Sequence, residues 1–216
     1  KRLLKDSGKP FIIGFGIKNK SDFFASGLES CGRKISFFLK KEKITLNTLG
    51  ACNVYNALAA ICLGRVFGIE YKDITKCLSR FEFPRGRLKF MRFRQVNFID
   101  DTYNSNPLSL SHALGALADS ESKGRKIFVM GDMLELGSRQ ELFHKQAGRR
   151  IKDTCDIFVA VGKFSRFAAR AAKKSGLKPK NIFICASSIE ARGVLFDQIS
   201  PCPDDVVLVK GSRSMK

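Results

Sequence analysis

The densest run of chemistry-bearing side chains is Asp100-Asp101-Thr102-Tyr103-Asn104-Ser105-Asn106-Pro107. Two adjacent carboxylates, a phenol and two amides gather hydrogen-bonding groups where a strand gives way to a helix. Asn106 and Pro107 also suit an N-cap and a first helical turn, so part of the run is helix initiation. Capping does not explain Asp100 and Asp101 beside Tyr103. A second set, Lys210-Gly211-Ser212-Arg213, brings together a cation, a backbone donor, a hydroxyl and a guanidinium, which suits a carboxylate or phosphate oxygen. A third, Met130-Gly131-Asp132-Met133-Leu134-Glu135-Leu136-Gly137, reads equally as a site carrying Asp132 or Glu135 and as a turn with solvated acids. Asn53 and Asn56, three residues apart at a helix start, share a face and can reach one planar ligand edge. The alternative is that Asn53 caps the helix and Asn56 is exposed.

The elements that must position these groups change in texture near Pro84. Before it, Phe11 to Ile17 and Ile35 to Leu39 read as strands, with Lys43 to Leu49 the returning arm of a hairpin. A helix opens near Asn53 as N-cap and runs through Val54, Leu58, Ile61 and Leu63 to Gly68. A second places Ile74, Cys77, Leu78 and Phe81 on one buried face. After the Pro84–Gly86 break, strands are expected at Asn97 to Asp100, Lys126 to Met130, Ile157 to Val161, Ile182 to Cys185 and Val206 to Val209. Helical patterns lie between them, such as Leu110, Ala113, Leu114 and Leu117. The alternation predicts an α/β fold, a parallel sheet with flanking helices, over 85–216 and a separate unit over 1–84. Ligands of such sheets gather beyond the carboxyl ends of the strands, where three of the four sets fall.

Composition narrows the classes. A 44% hydrophobic, 27% charged chain is an ordinary globular one. No apolar run approaches the roughly 20 residues a membrane helix needs, and Lys1 to Pro10 lack a signal-peptide pattern, so a cytoplasmic location is expected. The net charge of +19 attracts polyanions. Its scatter along the chain, densest at Lys40, Lys41 and Lys43 in a hairpin turn, argues against nucleic acid as a partner. Seven cysteines without a Cys-x-x-Cys pair, and two histidines, argue against zinc and a disulfide framework. Cys62 and Cys77 are expected to be buried thiols on helical stripes. The stretch Gly14 to Ser21 nearly spells a phosphate loop, but Asn19 stands where the wrapping glycine belongs, and it reads as a strand and its turn.

Taken in order, Gly50 to Ala60, Pro84 to Arg87, Asp100 to Pro107, Gly131 to Gly137 and Lys210 to Arg213 resemble the Mur ligase family of ATP-dependent amide ligases, over about Phe11 to the end. The resemblance implies a C-terminal Rossmann-like domain at 85–216, preceded at 1–84 by the tail of the central ATPase domain. It implies ATP and Mg2+ as cofactors, with UDP-N-acetylmuramoyl-tripeptide and D-alanyl-D-alanine joined through an acyl phosphate. The catalytic groups, namely the phosphate loop, a magnesium-binding glutamate and a carbamylated lysine, are then expected upstream of Lys1, with no metal ligand in the chain itself. Asn53 and Asn56 would contact adenine, Arg87 the ATP phosphates or ribose, and Asp101 the ribose. Tyr103, Asn104, Asn106, Lys210, Ser212 and Arg213 would line the dipeptide side. His144 matches a family histidine and is expected to be structural. Cys52 departs from the family's histidine at that position. The resemblance implies a monomer without membrane contact. Its rivals are a third-amino-acid-adding Mur ligase, a folylpolyglutamate synthase and a non-catalytic nucleotide-binding module.

Overall fold

The computed structural model describes residues 12–215, and the chain divides into two compact units between Glu82 and Phe83. Lys1 to Phe11 lie outside the described residues, and with them the start of the strand expected from Phe11 and the leader region.

In the first unit β1 (Phe15–Gly16), β2 (Phe23–Cys31), β3 (Lys34–Leu39) and β4 (Glu42–Leu46) form one sheet in that order. β1 pairs with β2 in parallel, and the later pairs are antiparallel. Alternation drives β3 and β4: Ile35, Phe37, Leu39, Ile44 and Leu46 turn one way and bury against Val54, Ala57, Leu58 and Ile61 of α1 (Ala51–Val66). Gly14 to Ser21 forms β1 and the turn after it, the Gly14 N–H donating to Asp22.

Several expectations for this unit are corrected. The N-cap of α1 is Gly50, at φ 87°, not Asn53, which lies in the first turn and is buried. Leu63 is exposed. In α2 (Tyr71–Arg80) only Ile74 is buried; Cys77 is exposed and Phe81 ends the helix in an extended conformation at the surface. Cys62 is half-buried. The buried thiols are Cys155 and Cys185, and burial, with Asp156 nearby, pushes Cys155 up to about 12.

The second unit holds a sheet in the order β5-β6-β10-β7-β8-β9, from β5 (Lys89–Phe93), β6 (Val96–Asp101), β7 (Lys126–Gly131), β8 (Ile157–Val161), β9 (Ile182–Cys185) and β10 (Val206–Lys210). All strands are parallel except β5, which forms a hairpin with β6. The crossovers carry α3 (Pro107–Asp119), α4 (Gln140–Ile151) and α5 (Ser165–Lys174) over one face. The reverse step from β9 to β10 puts α6 (Ser188–Gly193) and the π-helical turn Val194–Ile199 on the other. There Ala191, Leu195 and Ile199 pack on Val96, Ile127, Val159 and Val207. The expected α/β parallel sheet and helix stripe are present, with Leu110, Ala113, Leu114 and Leu117 all buried.

β10 is the last strand and lies between β6 and β7, so its entry must be fixed. Asp205, fully buried just before it, accepts from the Arg125 N–H at 2.6 Å, Arg125 Nε at 3.1 Å, Arg125 Nη2 at 2.6 Å and the Cys202 N–H at 3.0 Å. Burial alone would raise this carboxyl, but the Arg125 hydrogen bonds outweigh it and hold Asp205 below its ordinary value. A depressed folded value gives stability present above the unfolded value of about 3.9 and lost as pH falls through the folded one. Asp205→Asn is expected to cost about 2–3 kcal/mol at pH 7 in urea unfolding, and the gap from the parent chain should narrow below about pH 4.

Candidate functional site

The site is built from the carboxyl tips of β6, β10 and β7. Pairing in register sets Lys210 beside Asp101. The Lys210 Nζ donates to Asp101 Oδ2 at 2.5 Å and to the Asn104 carbonyl at 2.9 Å, with only 1% of the lysine side chain exposed. Asp101 Oδ1 accepts the Leu88 N–H at 3.1 Å. Burial raises the Asp101 carboxyl, while the Lys210 ammonium, the Leu88 N–H and Arg87 pull it down. Its charge therefore depends on the lysine.

Asp100 performs a parallel task that its place in the motif hinted at without specifying. It accepts the Gly86 N–H at 2.9 Å, the Thr102 N–H at 3.2 Å and the Thr102 hydroxyl at 2.7 Å. The Tyr103 N–H in turn donates to the Gly86 carbonyl. Gly86 is at φ 76°, and a Cβ there would lie 2.8 Å from the Tyr103 nitrogen, so only glycine fits. Leu88 sits at φ 50°. This pinned segment carries Arg87, whose guanidinium lies 3.9 Å from the Tyr103 ring centroid; that of Arg213 lies 5.7 Å from the same ring. Two cations over one half-exposed aromatic form an anion-attracting corner.

Beside the tips lies a cleft of about 430 Å³, apolar at Val129, Val161 and Leu195 and cationic at Arg192 and Arg213. Arg192 has no counterpart among the expected site residues; no pattern in the sequence marks a surface arginine on a short helix as facing a cleft. Gly131 and Gly211 let the tips of β7 and β10 approach, each Cα lying 3.2 Å from where the other's Cβ would be.

Thus Arg87, Asp101, Tyr103, Asn104, Lys210 and Arg213 come together in the second unit. Others are engaged internally. Asn106 Oδ1 accepts the Ser109 N–H at 2.8 Å and Ser109 Oγ accepts the Asn106 N–H at 3.0 Å, a reciprocal cap. Asn104 Oδ1 accepts the Ser105 N–H. Ser212 N–H donates to the Asp132 carbonyl, and Ser212 Oγ accepts the Leu134 N–H at 2.8 Å. Asp132 is buried and accepts the Phe164 and Ser165 N–H groups, seating the start of α5. In the first unit Asn53 donates to Thr48 Oγ1 and the Leu49 carbonyl, while exposed Asn56 donates to Asn53 Oδ1 at 3.3 Å.

His144 is structural, as expected. Fully buried, it accepts the Met133 N–H at Nε2, so Nδ1 carries the proton and donates to the Gln140 carbonyl at 2.7 Å. Burial lowers its pKa against the opposing pulls of Gln140 and Asp132. Among the described residues no three His, Cys, Asp or Glu side chains converge to hold a metal ion. The residues at the strand tips therefore do not form a Mg2+ site by themselves.

The chain belongs to the Mur ligase family, residues 86–213 matching the Mur ligase, glutamate ligase domain. Within it, the chain is 36% identical over 172 residues to the UDP-N-acetylmuramoyl-tripeptide--D-alanyl-D-alanine ligase of Bacillus subtilis, covering 78% of this chain and 36% of that one. The enzyme of the same name from Escherichia coli is 32% identical over 200 residues, 90% of this chain and 42% of that one. A crystal structure of MurF from Acinetobacter baumannii superposes with a TM-score of 0.81 at 31% identity, covering 94% of this chain and 44% of that one. The chain thus spans less than half the length of these relatives.

Two outcomes follow from the geometry. Lys210→Met is expected to destabilise the protein by about 3–5 kcal/mol in chemical unfolding because it strands a buried carboxylate; adding Asp101→Asn should restore part of that loss, so the two effects should not sum. For His144 the depressed folded value means that stability is present above about pH 6.5 and falls as pH drops through the folded value, a slope that should vanish in His144→Asn.

Proposed function

We propose that this chain is the C-terminal part of a cytoplasmic ligase that uses ATP to join D-alanyl-D-alanine to UDP-N-acetylmuramoyl-tripeptide in cell-wall precursor synthesis. The observation that carries it is the tip assembly, Lys210 and Asp101 locked together beneath Tyr103, with Arg87 and Arg213 presented above. In such a ligase a peptide carboxylate attacks the ATP γ-phosphoryl group, ADP leaves as the β,γ-bridging bond breaks, and the amine then displaces phosphate from the acyl phosphate. The transferring group is highly charged throughout, so positioning and charge neutralisation dominate its barrier. Arg87 and Arg213 supply fixed positive charge, and the backbone held by Asp100 and Asp101 fixes where Arg87 stands.

The residue roles divide by availability. Arg87 contacts the nucleotide phosphates or ribose, and Arg213 and Tyr103 the dipeptide side. Asp101, Lys210, Asn104, Asn106 and Ser212 act on ligands chiefly by holding these groups. Asn53 and Asn56 belong to the first unit, the tail of the central ATP-binding domain in this reading; exposed Asn56 offers its amide to an adenine edge, and buried Asn53 holds it in place. Its preference for D-alanyl-D-alanine is supported by relatives of that name at 35–36% identity over more than three-quarters of the chain. A diaminopimelate-adding relative matches over 56% of it.

The test is phosphate release from ATP by the whole protein with UDP-N-acetylmuramoyl-tripeptide. Release should depend on D-alanyl-D-alanine; equal stimulation by L-lysine would overturn the substrate assignment. The 216-residue chain alone should turn over no ATP. Arg87→Ala should lower kcat/KM by about 10²-fold, the scale of losing one charge-stabilising group.

A further inference from the structure

A second charged surface lies away from the strand tips. α4 and α5 pack closely: a Cβ on Gly148 would lie 2.2 Å from the Ala168 carbonyl oxygen. Beside this crossing runs a groove of about 950 Å³ lined by Lys145, Arg149, Arg170, Lys173 and Lys174, with Phe167 half-buried among them and Glu141 the one acid in its lining. Glu141 is paired with Lys145 at 2.5 Å. Among the described residues, no carboxylate lies within ion-pair distance of Arg149, Arg170, Lys173 or Lys174. Crossover helices run antiparallel to their strands, so the last turns bearing Arg149, Lys173 and Lys174 lie toward the end of the sheet opposite the candidate site.

Cations at helix C-termini offset the helix dipole, which accounts for Arg149, Lys173 and Lys174. It does not account for Lys145 and Arg170, further up the helices, or for the convergence of both helices' cations on one groove. We propose that this groove docks an acidic polypeptide segment of a partner protein. Charge complementarity selects an anionic occupant. Concavity selects a chain over a flat bilayer. The lone ring, Phe167, has Lys145, Arg166 and Arg170 within 5.4–5.9 Å of its centroid, leaving no free aromatic platform for unpaired bases.

The probe is fluorescent poly-L-glutamate, titrated by anisotropy into the full chain at low and high salt. Binding should be salt-sensitive and should weaken about tenfold or more in Arg170→Glu/Lys174→Glu. The control Lys178→Glu/Lys180→Glu, with the same charge change outside the groove lining, should alter it less than about twofold. Equal loss in both variants, or loss in neither, overturns the proposal. So does tighter groove-dependent binding of a single-stranded oligoribonucleotide or of phosphatidylglycerol vesicles than of polyglutamate. A readout on the unaltered protein, which no misfolded variant can confuse, is lysine acylation: bound polyglutamate should protect Lys145, Lys173 and Lys174 and leave Lys178 and Lys180 reactive. Uniform protection of all five overturns it.

Discussion

A lysine ammonium with 1% of its side chain exposed cannot stay charged without anionic or carbonyl partners around it, and Lys210 finds both. Asp101 takes one N–H and the Asn104 carbonyl takes another. That requirement shapes the tip of the sheet. Because β10 pairs with β6 in register, the pair forms only where Lys210 stands beside Asp101, and a one-residue slip would turn the ammonium to the other face of the sheet. The same carboxylate holds the Leu88 N–H, while Asp100 holds Gly86. Arg87 is thereby fixed between two anchored backbone positions.

Around that pair the polar side chains fall into two groups. Asn106, Ser212, Asp132 and His144 have their hydrogen-bonding groups taken up by caps, turns and strand ends. Arg87, Tyr103, Arg192 and Arg213 remain turned toward solvent or the cleft. An acid-rich motif therefore serves mainly as scaffold, and the groups it presents outward are cationic. This suits anionic ligands: the buried carboxylates are already matched and add little repulsion, while the guanidinium charges stay available.

The parallel strands were legible because each is a short apolar run bounded by turn residues, and the expected bounds of β8 and β9 coincide with those in the structure. The hairpin strand β5 was not. Its turn puts Arg94 and Gln95 at φ 47° and 66°, a left-handed conformation that sequence ordinarily signals with glycine or asparagine. β2 escaped for a different reason, since six of its nine residues are exposed and it has no alternation to read. At the strand tips, residue types and placement pointed to segments that the structure brings together. Sequence could not separate presented groups from engaged ones, because Asn53 as cap and Asn53 as tether of Thr48 and Leu49 have the same one-dimensional pattern.

Chain order adds one further constraint. Lys210 and Asp101 are 109 residues apart, and β10 must insert between β6 and β7 after every other strand of the sheet has been specified. Closing so long a loop carries an entropic cost that only the finished pairing offsets. Until β10 docks, Asp101 lacks its ammonium partner and the Asn104 turn lacks its donor, so the corner bearing Tyr103 keeps its ties to Gly86 and Asp100 but loses those to β10. The site is thus coupled to completion of the second unit: the strand that closes the sheet also delivers Lys210, Ser212 and Arg213 to its tip. A unit without β10 has neither the buried pair nor the Arg213 guanidinium at the Tyr103 ring.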